Sequence, residues 1–254
     1  MTLTHLEYEK LDGIALITLN RPEKLNVLSI PMAESFIQAL QDAKGDAGIK
    51  AIVITGAGKA FCAGGDIQEM LDGKLKSWGM KRYLWEHLQK VPLLMEETDK
   101  LIVAAVNGAA AGGGFDLALA CDVRAASPDA TFISSYVRLG LAPGFGGCYF
   151  LPRIVGLGHA LEILLSGKEV NAEEALDLGV VNRLYSKETL LEDTLAWAAE
   201  MTKWPLPSLK VIKRGVLQGL RSDLRSHLDY LSSQDALLSL TDEHQGILSR
   251  FQKK

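Results

Sequence analysis

The sequence predicts an α/β fold that gives way to a helical C-terminal region, and two observations carry that expectation. Apolar β-type runs end in glycine-rich turns that open directly into helices, most plainly where Val103 to Val106 leads through Asn107-Gly108 and Gly112-Gly113-Gly114 into Phe115-Asp116-Leu117-Ala118. Beyond about residue 195 the strand signals stop and apolar stripes at helical spacing replace them. The expected division is a core over residues 1–195 that holds the site, followed by a helical region over residues 196–254.

The chain opens with a hairpin. Leu6 to Glu9 and Ile14 to Asn20 read as strands joined by the turn pair Asp12-Gly13. A polar loop, Arg21 to Asn26, precedes Ser29, which sits two residues before Pro31 and is placed to cap a helix with Met32, Phe36, Ala39 and Leu40 on its apolar face. That helix closes over Lys44 to Gly48. The next strand, Ala51 to Thr55, ends at Gly56-Ala57-Gly58-Lys59.

This glycine-lysine group is neither a phosphate loop nor a dinucleotide fingerprint. In the first the lysine is followed by Ser or Thr, but Ala60 stands there; the second needs a third glycine where Phe61 stands. Instead the chain continues through Ala63-Gly64-Gly65 to Asp66, which with Glu69 three residues on reads as a capping box at a helix start. A lone glycine cluster is ordinarily a packing turn. Two strand-to-helix junctions, at Gly64-Gly65 and at Gly112 to Gly114, are a pattern: each offers backbone N–H groups with no intrahelical acceptor, and glycine lets a ligand approach them closely.

Leu71 to Lys100 is more polar, with Trp78, Tyr83, Trp85 and Leu88 at irregular helical spacing, and reads as a segment able to cover a pocket or as plain packing. His87 within it reads as structural, since no neighbour in sequence orients it for catalysis. Asp122 to Ala126 and Ala130 to Ile133 are expected strands, and Leu139 to Gly147 is a loop. Helices are then expected over Gly147–Ile154, Leu157–Leu165, Ala172–Leu178, Lys187–Met201, Ser208–Leu220 and Asp223–Leu240, with stripes Leu206, Leu209, Ile212, Val216, Leu220 and Leu224, Leu228, Leu231, Ala236, Leu240 that need a partner surface. Lys210, Lys213, Arg214, Arg221, Arg225, Arg250, Lys253 and Lys254 make this tail locally basic, which reads either as a solvated face or as a landing site for a phosphate-bearing ligand or an acidic neighbour.

Composition excludes several classes. With 254 residues and a formal net charge of −4, the chain lacks the basic surplus of a general nucleic-acid binder. Its three cysteines, Cys62, Cys121 and Cys148, form neither a disulfide framework nor a metal motif. The first residues do not read as a signal peptide, and no run of about eighteen apolar residues suggests a membrane span. A cytoplasmic protein without nucleic-acid or membrane partners is expected.

Two backbone N–H groups from separate helix starts, aimed at one point, make an oxyanion hole. At these residues the sequence resembles the crotonase, or enoyl-CoA hydratase/isomerase, superfamily. The motifs are Ala63 to Ile67, Asn107 to Asp116, Cys121-Asp122, Leu139 to Gly147, Leu151 to Gly156 and Ala172 to Val181, in family order along nearly the whole chain. The resemblance implies a crotonase-like spiral of repeated ββα units with a C-terminal helical trimerisation region, assembled as a homotrimer or homohexamer. It implies an acyl-CoA substrate, with no cofactor because CoA enters as part of that substrate, and no metal. The thioester carbonyl is expected between the amides of Gly65 and Gly113, and Lys24, Leu25, Ala63, Asp66 and Ile67 along the CoA path.

The catalytic positions depart from the family pattern. Hydratases of this family carry two glutamates, and at those positions this chain has Asp116 and Tyr136. Asp116 is expected to move a proton beside the thioester, its alternative being a capping carboxylate. Tyr136, a phenol with an ordinary pKa near 10, suits hydrogen-bond donation or general acid work, not carboxylate base chemistry. The expected function is therefore an enoyl-CoA hydratase/isomerase-type reaction through an enolate. The alternatives are hydrolysis or decarboxylation of an acyl-CoA, or a CoA-binding paralogue without turnover.

Overall fold

The computed structural model describes residues 2–71 and 78–251. The chain begins with the hairpin β1 (Leu6–Leu11) and β2 (Ile14–Leu19), paired antiparallel across Asp12 and Gly13, both at positive φ (45° and 84°). Helix α1 (Ile30–Gly45) starts at Ser29, whose hydroxyl accepts the Met32 amide, and buries Met32, Phe36, Ala39 and Leu40. There follow β3 (Ala51–Gly56), β4 (Ala60–Cys62), α2 (Ile67–Leu71), α3 (Trp78–Tyr83) and α4 (Lys90–Glu96), the last two joined by a π-helical turn, Leu84–Leu88. His87 in that turn faces Glu34, Nδ1 lying 3.7 Å from its carboxylate. Of the expected covering segment, residues 72–77 lie outside the described residues.

The middle of the chain runs β5 (Leu101–Val106), β6 (Ala109–Ala111), α5 (Gly113–Ala120), β7 (Val123–Ala126) and β8 (Thr131–Ile133). Then come α6 (Gly147–Ser166), β9 (Glu169–Asn171), α7 (Ala172–Asp177), β10 (Arg183–Leu184) and α8 (Leu190–Met201). The C-terminal helices are α9 (Leu206–Gly219), α10 (Leu224–Leu238) and α11 (Asp242–Phe251). Helix α6 is long and apolar enough to pass for a membrane span, but Gly156 (φ 79°, ψ 166°) breaks it into the two pieces the sequence suggests. Helix α9 begins at Leu206, earlier than the expected Ser208, because Pro207 fits the first turn, where no amide is needed.

The strands form two sheets. One has six strands in the order β1-β2-β3-β5-β7-β10, the other four in the order β4-β6-β8-β9. Each pass of the chain places one strand in the first sheet and the next in the second: β3 then β4, β5 then β6, β7 then β8. This is the spiral of ββα units, and the short strands β4 and β6 were not legible as strands because each is three residues long and runs directly into a glycine junction. Alternation along β5 shows how the core is divided. Ile102, Ala104 and Val106 enter the main core with Phe36, Phe61 and Phe115, whereas Val103 and Ala105 face the opposite side with Val53, Leu190, Trp197 and Ala198. Residue 195, the expected end of the core, falls inside α8, which packs on that second face.

Candidate active site

The first junction follows β4. Leu28 lies alongside Gly65 as an isolated parallel bridge: the Leu28 amide donates to Gly64 O at 2.7 Å and the Asp66 amide to Leu28 O at 3.1 Å. This pairing uses the amides on either side and leaves that of Gly65 without a protein acceptor among the described residues. It also corrects the expected capping box. Asp66 does cap α2, Oδ1 accepting the Gln68 amide at 3.0 Å, but its own amide is already held by Leu28, so Glu69 has no reciprocal bond to make.

The second junction is β6 to α5. Gly112 takes φ 50° and ψ −119°, a conformation that excludes a side chain, while its amide donates to Ile133 O at 2.8 Å. Gly113 is then the first residue of α5, where an amide has no intrahelical acceptor. The two junctions touch. The point where a Cβ on Gly113 would stand is 3.7 Å from the Gly65 nitrogen and 3.3 Å from Leu28 Cδ1, and a Cβ on Gly64 would stand 3.2 Å from the Gly113 nitrogen. Two amide nitrogens without a backbone acceptor among the described residues thus lie close together beside Leu28.

One turn into α5 is Asp116, only 1 % exposed. Tyr136, on the 3-10 turn Ser135–Leu139, donates its hydroxyl to Asp116 Oδ2 at 2.9 Å. Oδ1 is buried against the start of α6 and, among the described residues, has no hydrogen-bond partner. Burial pushes the Asp116 carboxyl up to about 6, against the opposing pull of the Tyr136 hydroxyl and the nearby amides of Gly147 and Phe145. Desolvation, with the charge and hydrogen bond of Asp116, holds the Tyr136 phenol well above the ordinary tyrosine value. The Asp116 carboxylate therefore titrates near neutrality, and Tyr136 keeps its proton.

The expected CoA-path residues gather beside the first junction. Leu25 and Asn26 both have positive φ (52° and 56°), and the Ala63 amide donates to Leu25 O at 2.9 Å, drawing the loop against Ala63. Lys24, Leu25 and Ile67 present exposed side chains there. Asp66 is already engaged, its Oδ2 accepting Arg21 Nη1 at 2.7 Å. The residue that shapes this loop is one that sequence reasoning missed. Asn26 is fully buried, its Oδ1 accepting the Arg21 amide at 2.9 Å and its Nδ2 donating to Ala57 O and Ala60 O at 2.9 and 2.8 Å. An Asn at the end of a polar loop was the only signal. Gly147, which makes room for Asp116 Oδ1, also went unnoticed, as a loop glycine among several.

Three of the C-terminal basic residues have partners within the chain. Lys213 donates to Asp122 Oδ2 and Lys100 O at 2.7 and 2.8 Å, Arg214 pairs with Asp99, and Arg221 with Glu96. These pairs pin α9 across a cavity of about 530 Å³ lined by Leu119, Phe150, Ile154, Leu209 and Val216. That cavity lies beyond the C-terminal end of α5 and includes none of Gly65, Gly113, Asp116 or Tyr136. Lys213, Arg214 and Arg221 thus hold α9 against the elements that precede it. Lys253 and Lys254 lie outside the described residues. Among the described residues, no group of three or more His, Cys, Asp or Glu side chains is placed to hold a metal ion.

Comparison with known proteins points the same way as this geometry. Residues 9–248 match the family model described as enoyl-CoA hydratase/isomerase. The short-chain-enoyl-CoA hydratase of Clostridium acetobutylicum is 32 % identical, over 100 % of this chain and 97 % of its own length. The crotonyl-CoA hydratase of Syntrophomonas wolfei is 31 % identical with the same coverage. Among solved structures, an enoyl-CoA hydratase subunit from Geobacillus kaustophilus superposes with a TM-score of 0.91 at 32 % identity, covering 99 % of this chain and 96 % of that one.

Proposed function

The chain belongs to the enoyl-CoA hydratase/isomerase family, and from that premise we propose that it is an acyl-CoA enzyme working through an enolate held between the amides of Gly65 and Gly113. The single observation that carries this reading is the nearness of those two unengaged amides, with the Cβ position of Gly113 3.7 Å from the Gly65 nitrogen. In this reading both N–H groups donate to the thioester carbonyl oxygen. They bind it more strongly as negative charge develops, and removal of one such donor costs about 3 to 4 kcal/mol of transition-state stabilisation. Asp116 and Tyr136 supply the proton traffic beside it, and a carboxyl that titrates near 6 is suited to both taking and returning a proton. Lys24, Leu25, Ala63, Asp66 and Ile67 line the approach of the CoA moiety, and the reading needs no cofactor beyond the CoA that the substrate carries.

A homotrimer, or a hexamer of two trimers, is the assembly we assign. Its support is the exposed aliphatic ridge on α6, Leu157, Leu161 and Leu165, together with Ile212 and Val216 on α9 and Leu220 just past its end.

A panel of enoyl-CoA esters tests the function. Turnover is expected, with mass gained as water for hydration or mass unchanged for isomerisation, and Asp116→Ala should lower kcat/KM by at least about 100-fold. A protein that binds no acyl-CoA, or whose turnover is indifferent to Asp116→Ala, overturns it. Tyr136 at the second acid position favours one competing reading, hydrolysis or decarboxylation, which the same mass measurement would reveal as free CoA or lost carbon dioxide.

A further inference from the structure

Asp116 and Tyr136 are not equivalent members of a pair. The Asp116 carboxyl is turned into the protein. Oδ1 abuts the first residue of α6, where a Cβ on Gly147 would overlap it, and Oδ2 is covered by the Tyr136 hydroxyl at 2.9 Å. With the residue 1 % exposed, neither oxygen is open to a ligand. Tyr136 as a whole residue is by contrast half-buried, while its hydroxyl, held on Asp116, is itself desolvated. Its Cε2 and Cζ lie 4.0 Å from the point where a Cβ on Gly112 would stand, so the phenol end of the ring is beside the residue that precedes the Gly113 amide.

We infer that Tyr136 is the catalytic residue that meets the reacting carbon, and that Asp116 is a positioning and proton-storing residue acting through it. The inference deepens the acyl-CoA reading and rests on it. In the forward step the substrate C–H bond breaks and its proton bonds to the Tyr136 oxygen, while the proton already on Tyr136 passes to Asp116 Oδ2. The C–H electron pair moves into the enolate, whose oxygen is held by the Gly65 and Gly113 amides. The phenol is neutral before and after, and Asp116 goes from carboxylate to carboxylic acid. Reversal returns a proton to carbon. In hydration the water oxygen bonds to the β-carbon as one of its protons bonds to the Tyr136 oxygen and the Tyr136 proton passes to Asp116. The C=C electrons move into the enolate, and reversal of the relay then delivers a proton to the α-carbon. Among the described residues, the other titratable groups acting on Tyr136 are thiols, Cys62 on β4 and Cys148 on α6. Burial pushes Cys62 up to about 12 and raises Cys148 with help from the Asp116 charge, so neither titrates near 6.

Exchange of the α-protons of butyryl-CoA in D2O, followed by NMR alongside enoyl-CoA turnover, tests the relay. Tyr136→Phe and Asp116→Asn should each slow exchange by about 10²- to 10⁴-fold, and the double variant should be no slower than either, as for groups acting in series. Wild-type exchange should rise with pH through about 6, and this limb should vanish in Asp116→Asn. Tyr136→Phe that exchanges within about tenfold of wild type with its limb intact, or single losses that multiply in the double variant, would overturn the relay while leaving the acyl-CoA reading standing. A wild-type protein that turns over no enoyl-CoA and exchanges nothing overturns both. Calorimetric binding of butyryl-CoA checks that each variant is folded. If Tyr136→Phe is not, 3-fluorotyrosine at position 136 acidifies the phenol without removing it, and an unchanged exchange rate in that protein overturns the relay as well.

Discussion

Gly147 at the start of α6 lies against Asp116 on α5 so closely that a Cβ on it would overlap the carboxylate oxygen Oδ1 and stand 3.1 Å from Pro143 Cβ. The carboxyl has no room to retreat, since its other oxygen is held by Tyr136. Gly147→Ala should therefore displace Asp116 or shift α6, costing about 1–3 kcal/mol of stability as overpacking does, and lowering kcat by more than tenfold through misplacement of the pair. Urea denaturation and steady-state kinetics on the same protein check this. A variant with wild-type stability and wild-type kcat would show that the contact is of no consequence.

The glycine triplet divides its labour, and two substitutions separate the parts. A Cβ on Gly114 would overlap the Cys62 carbonyl in β4, which is backbone and cannot turn aside. A Cβ on Gly113 would meet only Leu28 Cδ1 at 3.3 Å, a flexible side-chain end, but would stand 3.7 Å from the Gly65 amide, in the space proposed for the thioester oxygen. Gly114→Ala is expected to lose stability, by about 3 kcal/mol or more. Gly113→Ala should fold with a loss near 1 kcal/mol or less yet turn over substrate at least about 100-fold more slowly. Thermal melts and kcat/KM read the two effects, and the assignment of Gly113 to the carbonyl site fails if Gly113→Ala turns over normally.

The raised carboxyl of Asp116 has a cost to the fold with a definite sign. Because the folded protein binds this proton more tightly than the unfolded chain, Asp116 contributes its full stability below about pH 4, and that contribution disappears as pH rises through about 6. The rise from 3.8 to about 6 corresponds to roughly 3 kcal/mol for a residue this deeply buried. Asp116→Asn carries no charge and should be more stable than wild type at pH 8 by about 1–3 kcal/mol, with the advantage opening between pH 4 and 6. Urea midpoints measured across that range test it; a difference that is constant with pH would mean that burial does not oppose ionisation of this group.

The parts of this molecule that follow from local chemistry could be read in the sequence. Asp12-Gly13 makes its hairpin, Ser29 caps α1, and Gly156 breaks α6, because each depends on residues within one turn of itself. The two glycine junctions were legible for the same reason, and so was the family resemblance they carry. What was not legible depends on residues far apart in sequence. The capping box at Asp66 and Glu69 fails because Leu28, 38 positions before Asp66, takes the amide that Glu69 would need. The C-terminal basic residues looked free because Asp122, Asp99 and Glu96, which engage Lys213, Arg214 and Arg221, come from elements about a hundred residues earlier. Likewise, nothing in Asp116 as a letter says that its carboxyl is buried against the start of α6; that is decided by how Gly147 packs on Oδ1.

The exposed ridges on α6 and α9 make the last expectation. Leu157 and Leu165 are about 70 % exposed and Leu161 between them 46 %, and Ile212 and Val216 on α9 with Leu220 just past its end are each about 60 % exposed, both sets at spacings of four that align the side chains on one face. Burying an aliphatic side chain of this size is worth about 1.5–3 kcal/mol, so six such residues supply roughly 10 kcal/mol before the entropy of association is subtracted, enough for a stable contact between copies of the chain. Sedimentation equilibrium should therefore give a mass three or six times that of the chain. Leu161→Asp and Val216→Asp, which place an unpaired carboxylate within each ridge, should each reduce that mass toward the single chain while leaving the core folded by circular dichroism. A wild-type monomer, or variants whose mass is unchanged, would mean that these ridges do not form the contact.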